Sequence, residues 1–411
     1  MVTAPHDTRT ADAPRRAYLD HAATTVLRPA AREAFLEASA VAGNPSSVHT
    51  SGRRARAVLD DALEEIAALL GVPRSWLIMT SGGTEADNLA LRAVPLGVAA
   101  ADPSRGAVAV AATDHPAVLA TARSLAPGAT AAPGAAPIQV RELAVDARGA
   151  LIREGVREAL ADRAVSVLSA ALVNNETGAV QDIAGLSAMA REHGTLLHTD
   201  AVQAVGNVPL PAPGTVDLMS LSGHKIGAPV GVGVLVADPD VPFAATSTGG
   251  GQQRGVRSGT LDLLHAAAFA AALRETLTEA ERKREQTAQL AAELREGIAR
   301  IVPDARFTLP EGAMRAEHIV HVVLPGADSD ALLFLLDERG VDCSAGSACS
   351  AGVHRASSVL AAMGISDADA RGALRLSLGW TSTREDVQML LAALPDAVER
   401  ARAVGALSLP H

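Results

Sequence analysis

The sequence predicts an α/β layer with a mostly parallel sheet, followed by a smaller α+β unit. Three observations predict it. Between Tyr18 and about residue 236, short apolar runs alternate with helical segments of roughly ten residues or more. Runs such as 107–112 (AVAVAA) and 165–173 are apolar throughout, as strands buried on both faces are. Near residue 261 the texture changes to a charged helical stretch, and a second, shorter set of strands and helices follows.

The elements can be justified in order. Residues 1 to about 16 (MVTAPHDTRTADAPRR) are polar and aperiodic and read as a loose tail. Residues 29–41 and 53–70 carry Ala and Leu at helical spacing, and Gly71 supplies a C-cap for the second. Trp76 to Met79 is a short buried strand; Gly82-Gly83-Thr84 breaks it and opens a helix from Glu85 to about Ala93. Strands are then expected at 107–112, 137–143, 165–173, 196–199, 217–221 and 232–236, with helices at 116–126, 151–162 and 183–193. The segment 125–136 is an inert loop. Residues 261–302 interleave Glu with Arg and Lys and predict a long exposed helix, or helix pair, joining two units. Strands at 318–324, 341–343 and 373–378 and helices at 328–339 and 383–402 complete the smaller unit. Residues 344–356 (SAGSACSAGVHRA) read as a mobile loop. The expected division is a tail (1–16), a large domain (17–262) whose first dozen or so residues are free to pack on the small one, and a linker helix with a small domain (263–411).

Composition excludes several classes. The chain has 411 residues, enough for two cores. Lys plus Arg is 36 and Asp plus Glu is 46, a net charge of −10, which argues against direct nucleic-acid binding or an anionic membrane surface. No apolar run approaches the roughly 18 residues of a bilayer span. Two cysteines cannot form a disulfide framework, and the polar start does not resemble a signal peptide, so a soluble cytoplasmic protein is expected. Aromatics are 2%, so Val, Leu, Ile and Ala must fill the core.

The segment 217–233 (DLMSLSGHKIGAPVGVG) carries the most chemistry. An apolar strand delivers Ser222-Gly223-His224-Lys225 into a glycine-rich turn. A lysine there, walled by apolar residues, loses hydration; its pKa falls and its neutral amine becomes nucleophilic enough for a Schiff base. Taken alone, such a lysine is usually a surface residue. Asp200, 25 residues upstream and just past another strand, could hold a pyridinium nitrogen protonated, though alone it would more often be a helix cap. Ser81-Gly82-Gly83-Thr84 between strand and helix offers backbone N–H groups to an anion, and alone it too is weak. Phosphate turn, Asp and Lys in that order are far more specific together.

On these residues the chain resembles the fold-type I pyridoxal phosphate (PLP) transferases, and more closely the cysteine desulfurases of the NifS/IscS type. The matching stretches include Tyr18–Thr25 (YLDHAATT), Thr80–Asn88 (TSGGTEADN), Val173–Asp182 (VNNETGAVQD), His198–Gln203, Ser222–Lys225, Gly249–Thr260 (GGGQQRGVRSGT), Gly346–Cys349 (GSAC) and Arg375–Gly379 (RLSLG). They run in the family's order over nearly the whole folded chain.

The resemblance implies a set of roles. Lys225 would carry PLP as a Schiff base and shuttle protons. Asp200 would pair with the ring nitrogen, His115 would stack on the ring and assist proton transfer, and Gln203 would bond the phenolic oxygen. Gly83, Thr84, Ser222 and His224 would hold the phosphate, completed by Thr260 from the other subunit of a homodimer. Asn175 and Arg375 would orient the substrate, L-cysteine, Arg375 by a bidentate grip on its carboxylate. Cys349 would take the sulfur as a persulfide, leaving L-alanine, and pass it to an acceptor protein for iron–sulfur clusters or tRNA and cofactor thiolation.

Cys349 has nothing apolar of any size near it in sequence, whereas Cys343, at a strand end, reads as structural. His354 and Arg355 either tune the Cys349 thiol or are solvated loop residues. Gly227, Ala228 and Val230 depart from the usual pattern and are expected to relax packing near the cofactor; Gln253 stands where many relatives carry an acid. His193/His198 and His318/His321 lack a cysteine or carboxylate at useful spacing, so no metal is expected. Two other readings remain open: a selenocysteine lyase, other C–S lyase or aminotransferase, and a non-enzymatic scaffold using Cys343 and Cys349.

Overall fold

The computed structural model describes residues 15–126, 138–346 and 357–407. Strand β1 (Ala17–Tyr18) opens the described chain. Strands β2 (Leu77–Thr80), β3 (Ala107–Ala111), β4 (Gln139–Leu143), β5 (Val165–Ser169), β6 (Leu196–Asp200), β7 (Leu218–Ser222) and β8 (Gly233–Ala237) form one sheet in the order β2-β8-β7-β6-β5-β3-β4. From β4 to β7 every pairing is parallel, and β8 is antiparallel to both β7 and β2. The expected mixed, mostly parallel layer is present.

The unbroken apolar strands follow from burial on both faces. In β3, Val108 and Val110 enter one core cluster, with Ile78, Leu91 and Val118. Ala107, Ala109 and Ala111 enter the other, with Leu59, Ile66, Leu160 and Phe269. The alanine face lets helices approach closely, so the sheet is covered without aromatic bulk. The helix Thr50–Leu70 ends as expected on Gly71, at φ 68°. The helix expected from Glu85 to Ala93 starts at Gly83 and continues to Ala101. Pro95 lacks an N–H, and a wide turn over Leu89–Ala93 precedes it, so the proline does not stop the helix.

Strands β9 (Arg306–Phe307), β10 (Ile319–Val323), β11 (Val341–Asp342) and β12 (Ala373–Ser377) lie in the C-terminal part. β12, β10 and β9 form an antiparallel sheet in that order, and β1 pairs in parallel with β11. Ala17 and Leu19 share a core with Leu290, Leu336, Leu376 and Leu394. Arg15 and Arg16, read as tail, pair with Asp386 and with Asp337 and Asp342. The charged stretch is two helices, Leu263–Thr278 and Ala280–Ile301. The first is not an exposed linker: Ala266, Phe269, Ala270 and Leu273 are buried. The expectation rested on charges that within this helix begin only at Arg274, near its end.

Strand β2 is an edge of the large sheet, and the Gln253 side chain is bonded along it. Gln253 Oε1 accepts from Met79 N (2.6 Å) and its Nε2 donates to Met79 O (2.9 Å), as a neighbouring strand would. Gln253 and Arg254 both hold positive φ, 48° and 61°, so this amide pair helps fix a strained turn. Among the described residues no helix is long and apolar enough to cross a membrane.

An acid at position 253 could accept but not donate at neutral pH. Gln253→Glu should therefore lower stability by about 1–3 kcal/mol, regained on acidification. Urea denaturation checks this, and an unchanged midpoint at neutral pH would contradict it.

Candidate active site

The sheet places the expected chemistry at one edge. β6 ends at Asp200 and its parallel neighbour β7 ends at Ser222, from which a turn over Gly223–Lys225 departs. His115 caps the helix that follows β3, and Asn175 lies beyond β5. Carboxyl ends of parallel strands commonly form such crevices. Here they enclose a cavity of about 360 Å³ lined by Lys225, Asp200, His115, Gln203 and Asn175. Gly83, Thr84, Ser222 and His224, the expected phosphate group, line it as well. Gly83 has no room for a side chain, because a Cβ there would lie 2.8 Å from Val202 Cγ2.

The Lys225 amine donates to the carbonyls of Ala22 and Ala23, both at 2.6 Å. Burial and then the Arg375 charge pull its pKa down to about 8, with Asp20 and Asp200 opposing. Gln203 Nε2 also donates to Ala22 O (2.8 Å), so that carbonyl serves two site residues. Asp200 is buried and accepts from Val202 N (2.8 Å); burial raises it to about 6, against that bond and the Lys225 charge. His115 Nδ1 accepts from Ala117 N (3.1 Å), which assigns the proton of the neutral ring to Nε2. Burial, then Lys225, lowers its pKa. His224 is held down to about 4 for the same two reasons, with Thr24 Oγ1 at 3.2 Å from its Nδ1.

Arg375 stands one contact away, on β12. Its Nη1 donates to Asn175 O (2.9 Å) and its Nη2 to Asp20 Oδ1 (2.8 Å), while Nε is buried without a partner among the described residues. A substrate carboxylate would have to share or replace Asp20. Thr260 is exposed and does not line this cavity. Cys349, His354 and Arg355 lie outside the described residues. The Cys343 thiol is pushed up to about 12, first by burial and then by Asp20, Asp342 and Asp337, so it is protonated and unreactive at neutral pH.

The packing expected to relax at Gly227 is tight. A Cβ there would meet Arg28 Cγ at 2.7 Å. Arg28 is buried, bonds Ile226 O, pairs with Glu275 and Glu279, and lies under the Trp380 ring. Its bulk takes the space a larger residue would fill.

Three acids escaped the sequence reading. Asp87 lines the cavity and Asp114 accepts from Ala111 N and Ala171 N beside it. Spacing held a signal for Asp87: it is one helical turn beyond Gly83. Glu176, next to Asn175, accepts from the Ser357 hydroxyl (2.5 Å). Gly346 lies against Glu176 too, since a Cβ on it would be 3.6 Å from Glu176 Cβ. Both described ends of the 347–356 segment therefore meet at this acid.

A family profile, Aminotransferase class-V, matches residues 17–390, and the chain belongs to that family. An IscS-like cysteine desulfurase of Mycobacterium tuberculosis is 42% identical over 94% of this chain and 97% of its own length. The NifS-like protein of Rickettsia africae superposes with a TM-score of 0.81 at 26% identity, covering 94% of this chain and all of that one. A solved complex of SspA with cysteine gives 0.74 at 28%, covering 88% and 98%. Within the class-V family, this chain belongs to the cysteine desulfurases of the NifS/IscS type.

The depressed lysine predicts a shifted titration. Borohydride trapping of Lys225 with a small aldehyde should be half-maximal near pH 8, the amine being neutral above it. A midpoint near the ordinary 10.5 would contradict the assignment.

Proposed function

We propose that this chain, with bound pyridoxal phosphate, takes sulfur from L-cysteine, leaving L-alanine and a persulfide on Cys349. The observation that carries the reading is Lys225: a desolvated amine in the same cavity as a buried Asp200 and an uncharged His115. The cavity suits the cofactor, with a glycine turn free of side chains for a phosphate and a buried carboxylate for a ring nitrogen. Bound there, PLP would supply an electron sink that weakens bonds at the amino acid's α and β carbons.

The chain's own residues have separate tasks. Lys225, with its pKa near 8, takes the α proton and returns it, the pKa suiting a base at neutral pH. Asp200 would hold a proton on the ring nitrogen. His115 would stand against the ring and offer its Nε2, and Gln203 would bond the phenolic oxygen. Gly83, Thr84, Ser222 and His224 would hold the phosphate. Asn175 and Arg375 would fix the substrate carboxylate. The Cys349 thiolate attacks the substrate sulfur; the new S–S bond forms as the Cβ–S bond breaks, and the bond's electron pair stays with carbon, which takes up a proton. In the sequence Cys349 is three residues past Gly346, which packs beside Glu176.

A homodimer fits the exposed Thr260, which would serve the partner's phosphate site. A sulfur-acceptor protein for cluster assembly or thiolation, and a reducing, cytoplasmic compartment, complete the proposal.

Incubation with PLP and L-cysteine should yield alanine and protein-bound persulfide. Cys349→Ser should keep the cofactor's absorbance and lose both products; undiminished sulfide release would sink the role of Cys349. Lys225→Ala should lose the Schiff-base absorbance and roughly 10²-fold or more in rate. Arg375→Lys keeps the charge but not the fork, and should raise KM roughly tenfold with a smaller effect on kcat; an unchanged KM would remove Arg375 from substrate binding.

A further inference from the structure

The described cavity holds one charge problem that the roles above leave unsolved. Asp87 is 1% exposed and lines the cavity, and its Oδ1 has no hydrogen-bond partner among the described residues. A buried carboxylate in that state is unfavourable by several kcal/mol unless it is paired or protonated.

Among the described residues, its surroundings offer no cation. On β6, His198 Nε2 is 3.6 Å from Asp87 Oδ1, too far for a hydrogen bond. Both nitrogens of that ring are already engaged, by Ser169 Oγ at 2.8 Å and Ser220 Oγ at 2.9 Å. The ring is fully buried, which holds it neutral. On β7, the Ser220 hydroxyl bonds Asp87 and supports its charge. The acids acting on Asp87 are Asp200, also on β6, and Asp114, in the turn after β3; each disfavours a charge on Asp87 to the extent that it is itself ionised, Asp200 before Asp114. The cation of the site, Lys225, acts on Asp200 instead.

Neighbouring buried carboxylates cannot all ionise, and protons settle first on the least supported one. Asp200 has the Val202 N–H and the Lys225 charge. Asp114 has two backbone N–H donors, from Ala111 and Ala171. Asp87 has an oxygen with nothing.

We propose that Asp87 works as an uncharged carboxylic acid, a positioning residue that leaves Asp200 as the carboxylate presented to a ring nitrogen. It acts through Asp200 and touches no reacting atom. An ionised Asp87 would compete with Asp200 for whichever proton the site holds, and would draw it away from the ring. This inference rests on the functional reading above only for the cofactor; the protonation of Asp87 is a property of the protein alone.

Infrared spectroscopy of the protein as purified tests it. With ¹³C-carboxyl aspartate incorporated, wild type at neutral pH should show isotope-shifted stretches of protonated carboxyl groups, and Asp87→Asn should lose one. Asn is isosteric and never ionises, so the PLP dissociation constant should rise less than threefold in that variant. An unchanged infrared spectrum in Asp87→Asn, or a tenfold loss of PLP affinity, would overturn the proposal. Should Asp87→Asn fail to fold, Asp87→Leu and the wild-type spectrum still decide, because complete absence of a protonated aspartate stretch in wild type excludes it. Failure of wild type to bind PLP at all would defeat the functional reading and leave the infrared result standing.

Discussion

The two bonds from the Lys225 amine to the carbonyls of Ala22 and Ala23 are the constraint on which the rest of the site depends. They tie the end of β7 to a segment that enters from the other sheet system. That segment begins as β1, paired with β11, and passes Asp20, which holds Arg375. Ala22 N accepts no freedom either, donating to Ser377 Oγ at the end of β12. Arg28 then locks the segment against Gly227, just past the lysine. One stretch of eleven or so residues thus sets the amine, the guanidinium and the mouth of the cavity relative to one another.

The cavity and the layer beside it concentrate groups that the fold would exclude elsewhere. A lysine, three aspartates and neutral histidines are gathered where desolvation disfavours every charge. Asp114 is raised to about 8 and Asp200 to about 6, so neighbouring acids differ in their readiness to carry charge. Native stability tolerates this because backbone N–H groups and serine hydroxyls answer most of the polar atoms. Two of the atoms left unanswered among the described residues, Asp87 Oδ1 and Arg375 Nε, lie at or beside the cavity, where a bound group has the most to gain.

Much of this was legible in the sequence because it depends on local pattern. Gly71 ends its helix for the conformational reason that glycine there predicts. Lys225 and Asp200 were readable because each follows an apolar run, and parallel strands bring such ends together. The buried acids were not. Asp87 in TEADN looks like the polar face of a helix, and only the sheet behind it shows that this face is covered. The helix Leu263–Thr278 was misjudged because its closing charges merged in sequence with those of the next helix. Gln253 bonds an edge strand 174 residues away, a pairing no local pattern encodes. Arg28 against Gly227 is likewise a contact made only by folding.

In the proposed function Asp200, buried and under the influence of the Lys225 charge, would fix the protonation of the cofactor's ring. Nuclear magnetic resonance of the protein loaded with PLP labelled with ¹⁵N in the ring tests it most directly. The account predicts a protonated ring nitrogen in wild type and an unprotonated one in Asp200→Asn. An unprotonated ring nitrogen in wild type, or a signal unchanged by the substitution, would contradict it.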